Sequence, residues 1–217
     1  MIIAVDGPAA SGKGTLARRI AQQMGFAHLD TGKLYRAVGL AVIRGGGDPS
    51  DAGAAEAAAK ALDPRALDDP ALAGDEAAQA ASKVAAIPAV RAALLKFQRD
   101  FAADPPGRKA GAVLDGRDIG TVVCPDADIK FFVTASDRSR AKRRHKELLG
   151  RGETSIYARV LQDLRERDAR DSTRNVAPLE PAEDAIVLDT TDMDADAAFA
   201  TAVRHIEAVS SGGVRTE

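Results

Sequence analysis

With one cysteine in 217 residues, the chain has no pair to bridge and carries no intramolecular disulfide framework. Cys124 follows Val122-Val123 and precedes Pro125, with no histidine or second cysteine nearby in sequence to activate it, so it reads as a core or loop thiol. Long apolar runs are missing too. None approaches the roughly 18 residues of a membrane span, and the amino terminus shows neither a basic leader region nor a long apolar one. The expectation is a protein of the reduced cytoplasm with no membrane partner. A charge surplus is also lacking: a formal net charge of -2 and a pI near 6.0 argue against a general nucleic-acid binder, which needs a basic balance.

What the chain does have is 45% hydrophobic and 29% charged residues, enough for one α/β domain with insertions. Its most telling stretch is Gly7-Pro8-Ala9-Ala10-Ser11-Gly12-Lys13-Gly14-Thr15, directly after the apolar run Ile2-Ile3-Ala4-Val5. Glycines at 7, 12 and 14 let successive backbone N–H groups curl around an anion, and the following helix presents its positive end. Lys13 adds a full charge near the β and γ phosphates of a bound nucleotide. The spacing fits the nucleotide-binding phosphate loop, except that Gly14 stands where Ser or Thr is usual and Thr15 comes one place later.

Apolar spacing supplies the frame. Leu16, Ile20 and Met24 recur at helical intervals before a stop at Gly25, Phe26 to Leu29 reads as a second strand, and Thr31 is a candidate cap for a helix bearing Leu34, Val38, Ala41 and Val42. That helix should end at Gly45-Gly46-Gly47. Asp48 to Asp75 lacks periodicity and reads as an exposed insertion. Val84, Ile87, Val90, Leu94, Phe97 and Phe101 share a helical face that Pro88 must kink or restart. Strands are expected at 112–114, 129–133 and 185–188, and strands alternating with helices predict a parallel sheet covered on both faces, with ligands at the strands' carboxyl ends. Asp30, Asp115 and the phosphate loop all fall at such ends. Residues 138–174 hold 12 Lys or Arg against six acids, a local surplus suited to folding over a triphosphate. Within them Arg167, Asp171 and Arg174 share one helical face, with Tyr157, Val160, Leu161 and Leu164 anchoring the segment. The tail from residue 209 to 217 reads as disordered.

Four further groups complete the pattern: Asp30-Thr31-Gly32-x-x-Tyr35-Arg36, the run Asp115-Gly116-Arg117-Asp118-Ile119-Gly120-Thr121-Val122-Val123, Arg167-Asp168-x-Arg170-Asp171-x-x-Arg174, and Ser82 with Arg91. Together with the loop they closely resemble the bacterial cytidylate kinases over roughly residues 2 to 208. The resemblance implies an α/β fold: a doubly wound, five-stranded parallel P-loop sheet forming one kinase domain. Its core would be 1–32, 110–148 and 176–208, with a nucleoside-monophosphate-binding insertion at about 33–109 and a lid at about 149–175. It implies transfer of the γ-phosphate of ATP to CMP or dCMP, by a monomer.

The same resemblance implies roles for particular residues. Lys13, Arg36, Arg117 and Arg174 would steady the migrating phosphoryl group, since arginine offers two parallel donors and stays charged. Gly7, Pro8, Ala9, Ala10, Ser11, Gly12, Lys13, Gly14 and Thr15 would cradle ATP. Arg140, Arg143 and Arg144 would face it, stacking on adenine or touching phosphate. Thr31, Arg36, Ser82, Arg91, Arg117, Asp118, Arg167, Asp171 and Arg174 would hold the acceptor, with Asp118 and Arg91 reading cytosine, Ser82 assisting, and Arg167 and Asp171 on the ribose. Mg²⁺ would sit on phosphate oxygens and water, near Thr15 and a water held by Asp115, with Asp6 and Asp30 as competitors for that role. The three histidines, without a common spacing or an acid neighbour in sequence, read as structural. Rivals are another small-molecule P-loop kinase, acting on AMP, UMP or shikimate, and a slow nucleotide switch.

Overall fold

The computed structural model describes residues 1–212. Five strands, β1 (Ile2–Asp6), β2 (Ala27–Asp30), β3 (Ala112–Gly116), β4 (Ile129–Thr134) and β5 (Ile186–Asp189), form one sheet in the order β2-β3-β1-β4-β5, every pair parallel. Because side chains alternate along a strand, Ile3 and Val5 face one layer and Ala4 the other. The first layer is helix α1 (Lys13–Met24) with α8 (Ala195–Gly212), whose Leu16, Ile20, Ala202 and Ile206 close over Val113, Phe131 and Leu188. The second is helix α5 (Pro88–Ala103), whose Leu95, Phe97 and Phe101 cover Ala4, Leu29 and Leu114. The chain leaves β1 toward β2 and leaves β4 toward β5, opening a crevice at the carboxyl ends where the direction reverses.

Two helical elements overhang that crevice. Helix α2 (Thr31–Arg44), α3 (Ala52–Lys60), α4 (Asp75–Val84) and α5 share their own core of Leu34, Val38, Ala55, Ala59, Val84, Val90 and Leu94. On the other side, α6 (Asp137–Gly150) and α7 (Tyr157–Thr173) pack through Leu148, Tyr157, Val160, Leu161 and Leu164 against Ala9 of the loop. The expected lid boundary at residue 149 thus falls at the end of α6, and α6 shares the apolar seam of α7.

Several expectations change. The stretch 48–75 is not an open excursion: α3 and two 3-10 turns (Pro64–Asp68, Pro70–Ala73) bury Ala55, Ala59 and Leu72, alanine-rich faces too weak in hydrophobicity to show as periodicity. Thr31 does not cap α2. It is the first helical residue, and its hydroxyl donates to the Asp115 carbonyl at 2.8 Å, fastening α2 to β3. Pro88 starts α5 at its first turn, where its missing N–H costs nothing. Helix α8 runs through Gly212, into the stretch expected to lack order; the rest of that tail, 213–217, lies outside the described residues.

Gly39 sets the approach of α2 to α4, since a Cβ there would lie 2.6 Å from Ala80 Cβ and 2.9 Å from the Ala80 carbonyl carbon. Gly39→Ala should therefore destabilise the protein by about 1–3 kcal/mol, although alanine is the better helix former by about 1 kcal/mol. A urea midpoint equal to that of the wild type would show that the two helices do not meet this closely.

Candidate active site

The site begins where β1 ends. Gly7 adopts φ +148° and a Cβ on it would sit 2.0 Å from the Val133 carbonyl oxygen, so only glycine lets the chain turn here into the loop. The loop delivers Lys13 as the first residue of α1, with Gly12 left-handed at the cap. Beyond it lies a cleft of about 200 Å³, lined from the loop by Lys13, from α2 by Arg36, from the end of β3 by Asp115 and Arg117, and from α6 and α7 by Arg144 and Arg167.

Cations crowd this cleft. Burial, and then the charge of Arg117, push the Lys13 ammonium down to about 7, and burial with Arg117 pushes Arg167 down to about 10. The buried Nε atoms of Arg36 and Arg167 carry no hydrogen-bond partner. Polar hydrogens held without acceptors, on groups that repel one another, form a surface complementary to a polyanion.

A narrower recess opens beside the cleft, sharing Arg117 and Arg167 with it, and is lined by Thr31, Tyr35, Ser82, Arg91, Asp118, Asp171 and Arg174. Its floor is a buried ion pair between Arg91 of α5 and Asp118, with Arg91 over the Tyr35 ring at 5.5 Å. Arg174 Nη2 lies 3.7 Å from the other Asp118 oxygen, and its Nε donates to the Ala177 carbonyl at 2.5 Å. Arg117 Nε donates to Asp171 at 2.9 Å. Although burial pushes the Asp171 carboxyl up, Arg117 and Arg167 hold it below the usual carboxylate range. Ser82 Oγ accepts from Arg170 Nε at 3.2 Å, a contact from α7 onto α4.

A third pocket of about 210 Å³ lies across the loop, between Ser11, Gly12, Thr15, Arg143, Thr190, Met193 and Ala198. Arg143 is fixed there by the carbonyls of Ser11 (3.1 Å), Met193 (3.2 Å) and Thr190, and by Thr190 Oγ1 at 2.9 Å.

Some expected groupings are not formed. Arg140 lines none of the three cavities: it is buried and donates to the carbonyls of Ala9 (3.2 Å) and Ala135 (2.9 Å) and to Asp137 (2.6 Å) and Asp168 (2.7 Å), tying the loop to α7. Arg144 turns to the central cleft, 3.2 Å from Asp75 and from Glu147. Arg174 lies in the recess with Asp118, not beside Lys13, while Arg167 reaches both cavities.

His28, read as structural, is bonded through Nε2 to Asp115 Oδ1 at 2.8 Å. Alternation puts His28 and Asp30 on one face of β2, and Asp30 registers with Asp115, so the pairing register was the missing signal. The other Asp115 oxygen lies 3.5 Å from where a Cβ on Gly14 would be, beside the loop, whereas Thr15 is exposed and lines the third pocket. Among the described residues no group of three or more His, Cys, Asp or Glu could hold a metal ion, so a divalent cation fits here only if phosphates and water supply most of its ligands.

Comparison with known proteins identifies the family. The family described as Cytidylate kinase matches residues 3–208. The chain belongs to the cytidylate kinase family. The cytidylate kinase of Paramagnetospirillum magneticum is 65% identical over 202 residues, 93% of this chain and 95% of that protein. That of Rhodospirillum rubrum is 64% identical over 203 residues, 94% and 95% of the two chains. A crystal structure of an uncharacterized protein from Eubacterium ventriosum, 14% identical, aligns over 95% of this chain and 98% of its own with a TM-score of 0.55, a likeness of fold alone.

Proposed function

We propose that this cytidylate kinase family member transfers the γ-phosphate of ATP to CMP or dCMP, giving ADP and CDP or dCDP. The observation that carries the reading is the junction of a cation-lined cleft with a recess whose floor is the Arg91–Asp118 pair. ATP lies on the loop with its phosphates at Lys13 and its base in the pocket of Arg143 and Thr190. CMP lies with its phosphate toward Arg36, Arg117 and Arg167, and its base toward Asp118, Arg91 and Ser82.

Cytosine offers a 4-amino donor beside the N3 and O2 acceptors, so a carboxylate with a guanidinium matches it. Asp171 accepts from the ribose hydroxyls. A phosphate monoester oxygen is already a nucleophile at neutral pH, so the residues' work is alignment and charge: Lys13, Arg36, Arg117 and Arg167 converge where charge spreads over the migrating group. Arg174, set against Asp118, acts on the base side. Mg²⁺ would neutralise the β and γ phosphates, with Asp115, oriented by His28, holding one of its waters. The insertion at 33–109 and the lid at 149–175 close over both substrates and exclude water. The enzyme works as a monomer, and no described helix is long and apolar enough to cross a membrane.

Release of ADP from ATP, measured with CMP, dCMP, UMP and AMP in turn, tests the reading. Turnover should be fastest with the cytidine nucleotides. Turnover favouring AMP or UMP would make the chain a different small-molecule kinase, and hydrolysis independent of any acceptor would make it a switch. Amide exchange in 150–175 should slow when CMP and a non-hydrolysable ATP analogue are bound together; unchanged exchange would count against a closing lid.

A further inference from the structure

We propose that Asp6 is a positioning residue for base recognition: from the end of β1 its carboxylate caps the turn that carries Asp118 and so frees Asp118 to face the nucleotide. This rests on the reading of Asp118 as the base contact.

Residues Ile119–Val123 form a π-helical turn, with the Val123 N–H reaching the Asp118 carbonyl at 3.1 Å and the Cys124 N–H that of Ile119 at 2.7 Å. Such turns are rare and gather at functional sites. Asp118 occupies the cap position, where a carboxylate would ordinarily bend back onto the first free N–H groups. Here it makes no such bond, because its oxygens are directed to Arg91 and Arg174. The unpaired donors go instead to Asp6. Its Oδ1 accepts from the Ile119 N–H and its Oδ2 from the Gly120 N–H, each at 2.8 Å, across 113 and 114 residues of sequence.

Two consecutive donors, each on its own oxygen, fix both the position and the rotation of the turn. The seat is close on the far side too, since a Cβ on Gly120 would lie 3.1 Å from Lys130 Cδ. Lys130 gives its ammonium to Asp184 at 2.9 Å. Burial pushes the Asp6 carboxyl up to about 7 even against those two bonds, a cost that an apolar residue filling the same space would avoid. Asp6 immediately precedes Gly7, but its carboxylate is committed to the turn, so its loss should act on the acceptor's base contact and not on the phosphate loop.

The test is steady-state kinetics on the full chain for wild type, Asp6→Asn and Asp118→Ala, with CMP, UMP and ATP each varied. Asparagine keeps the size of Asp6 but can accept only one of the two N–H groups and turns its own amino group on the other. Asp6→Asn should lower the CMP-over-UMP ratio of kcat/KM by roughly tenfold or more, through KM for CMP, with KM for ATP within about twofold of wild type. If Asp118→Ala loses the preference while Asp6→Asn keeps it, or Asp6→Asn raises both KM values alike, the proposal is overturned and the reading of Asp118 stands. If Asp118→Ala keeps the preference, that reading itself is wrong. Should Asp6→Asn not fold, amide exchange on the wild type decides: the Ile119 and Gly120 amides should exchange as slowly as those of β1, and fast exchange in the folded protein would overturn the capping role.

Discussion

Lys13→Ala is expected to lower kcat with CMP by about 10³-fold or more, the order seen when a cation on the migrating phosphoryl group is removed. Among the cations lining the cleft, Lys13 is the one carried by the phosphate loop itself, at the first turn of α1, whereas Arg36, Arg117 and Arg167 come from other elements. The same side chain gives a pH signature. Burial and Arg117 hold its ammonium at about 7 in the free protein, and a triphosphate beside it would raise that value. A group whose bound value exceeds its free value favours binding where it is protonated. ATP affinity should therefore be greatest below pH 7 and decline as pH rises through about 7 toward the bound value, with proton uptake on binding above pH 7. Calorimetry at pH 8 in buffers of differing ionisation enthalpy measures that uptake, and comparison with Lys13→Ala removes the titration of ATP itself. Equal uptake by both proteins would show that Lys13 is not the group responsible.

The parts of this molecule that were legible in sequence are those governed by short-range pattern. All five strands begin and end within two residues of expectation, because each is a short, mostly apolar run and four of them close on Asp or Gly at the end that meets the ligand. The phosphate loop was legible for the same reason, since its geometry is written in three glycines and a lysine. The recess of Arg91, Asp118 and Arg174 was reached only through likeness to a family: these side chains come from α5, the turn after β3 and the end of α7, and no spacing rule joins them. What could not be read is register and direction. His28 meets Asp115 because β2 lies beside β3 in a particular register, and Arg140 turns inward to Ala9 and Asp168 although the arginines around it are exposed or half-buried. An arginine in a basic run looks the same in sequence whether it meets a ligand or braces a loop. Residues 48–75 failed differently, since alanine buries well against a close neighbour but contributes little to a hydrophobic pattern.

Asp118→Ala should abolish the preference for CMP over UMP, a loss of about 10²-fold or more in the ratio of kcat/KM. The argument is one of pairing. In the closed recess the Asp118 carboxylate, fixed by Arg91 and near Arg174, meets the cytosine 4-amino group; uracil puts a carbonyl there, setting acceptor against acceptor, and a buried acid left so costs about 1–3 kcal/mol or more. Alanine removes the penalty on UMP and the bond to CMP together, so the two acceptors should converge. It also strips a buried guanidinium of its partner, at a stability cost of about 3–5 kcal/mol, which would lower turnover with both nucleotides and must be separated from specificity. Asp118→Asn makes that separation. Its oxygen can still accept from Arg91, while its amide can donate to the uracil carbonyl but turns a donor on the cytosine amine. The ratio should therefore fall further than in Asp118→Ala, toward UMP, with a smaller loss of thermal stability. A wild-type preference for CMP in Asp118→Asn would place base recognition on Arg91 and Ser82 alone.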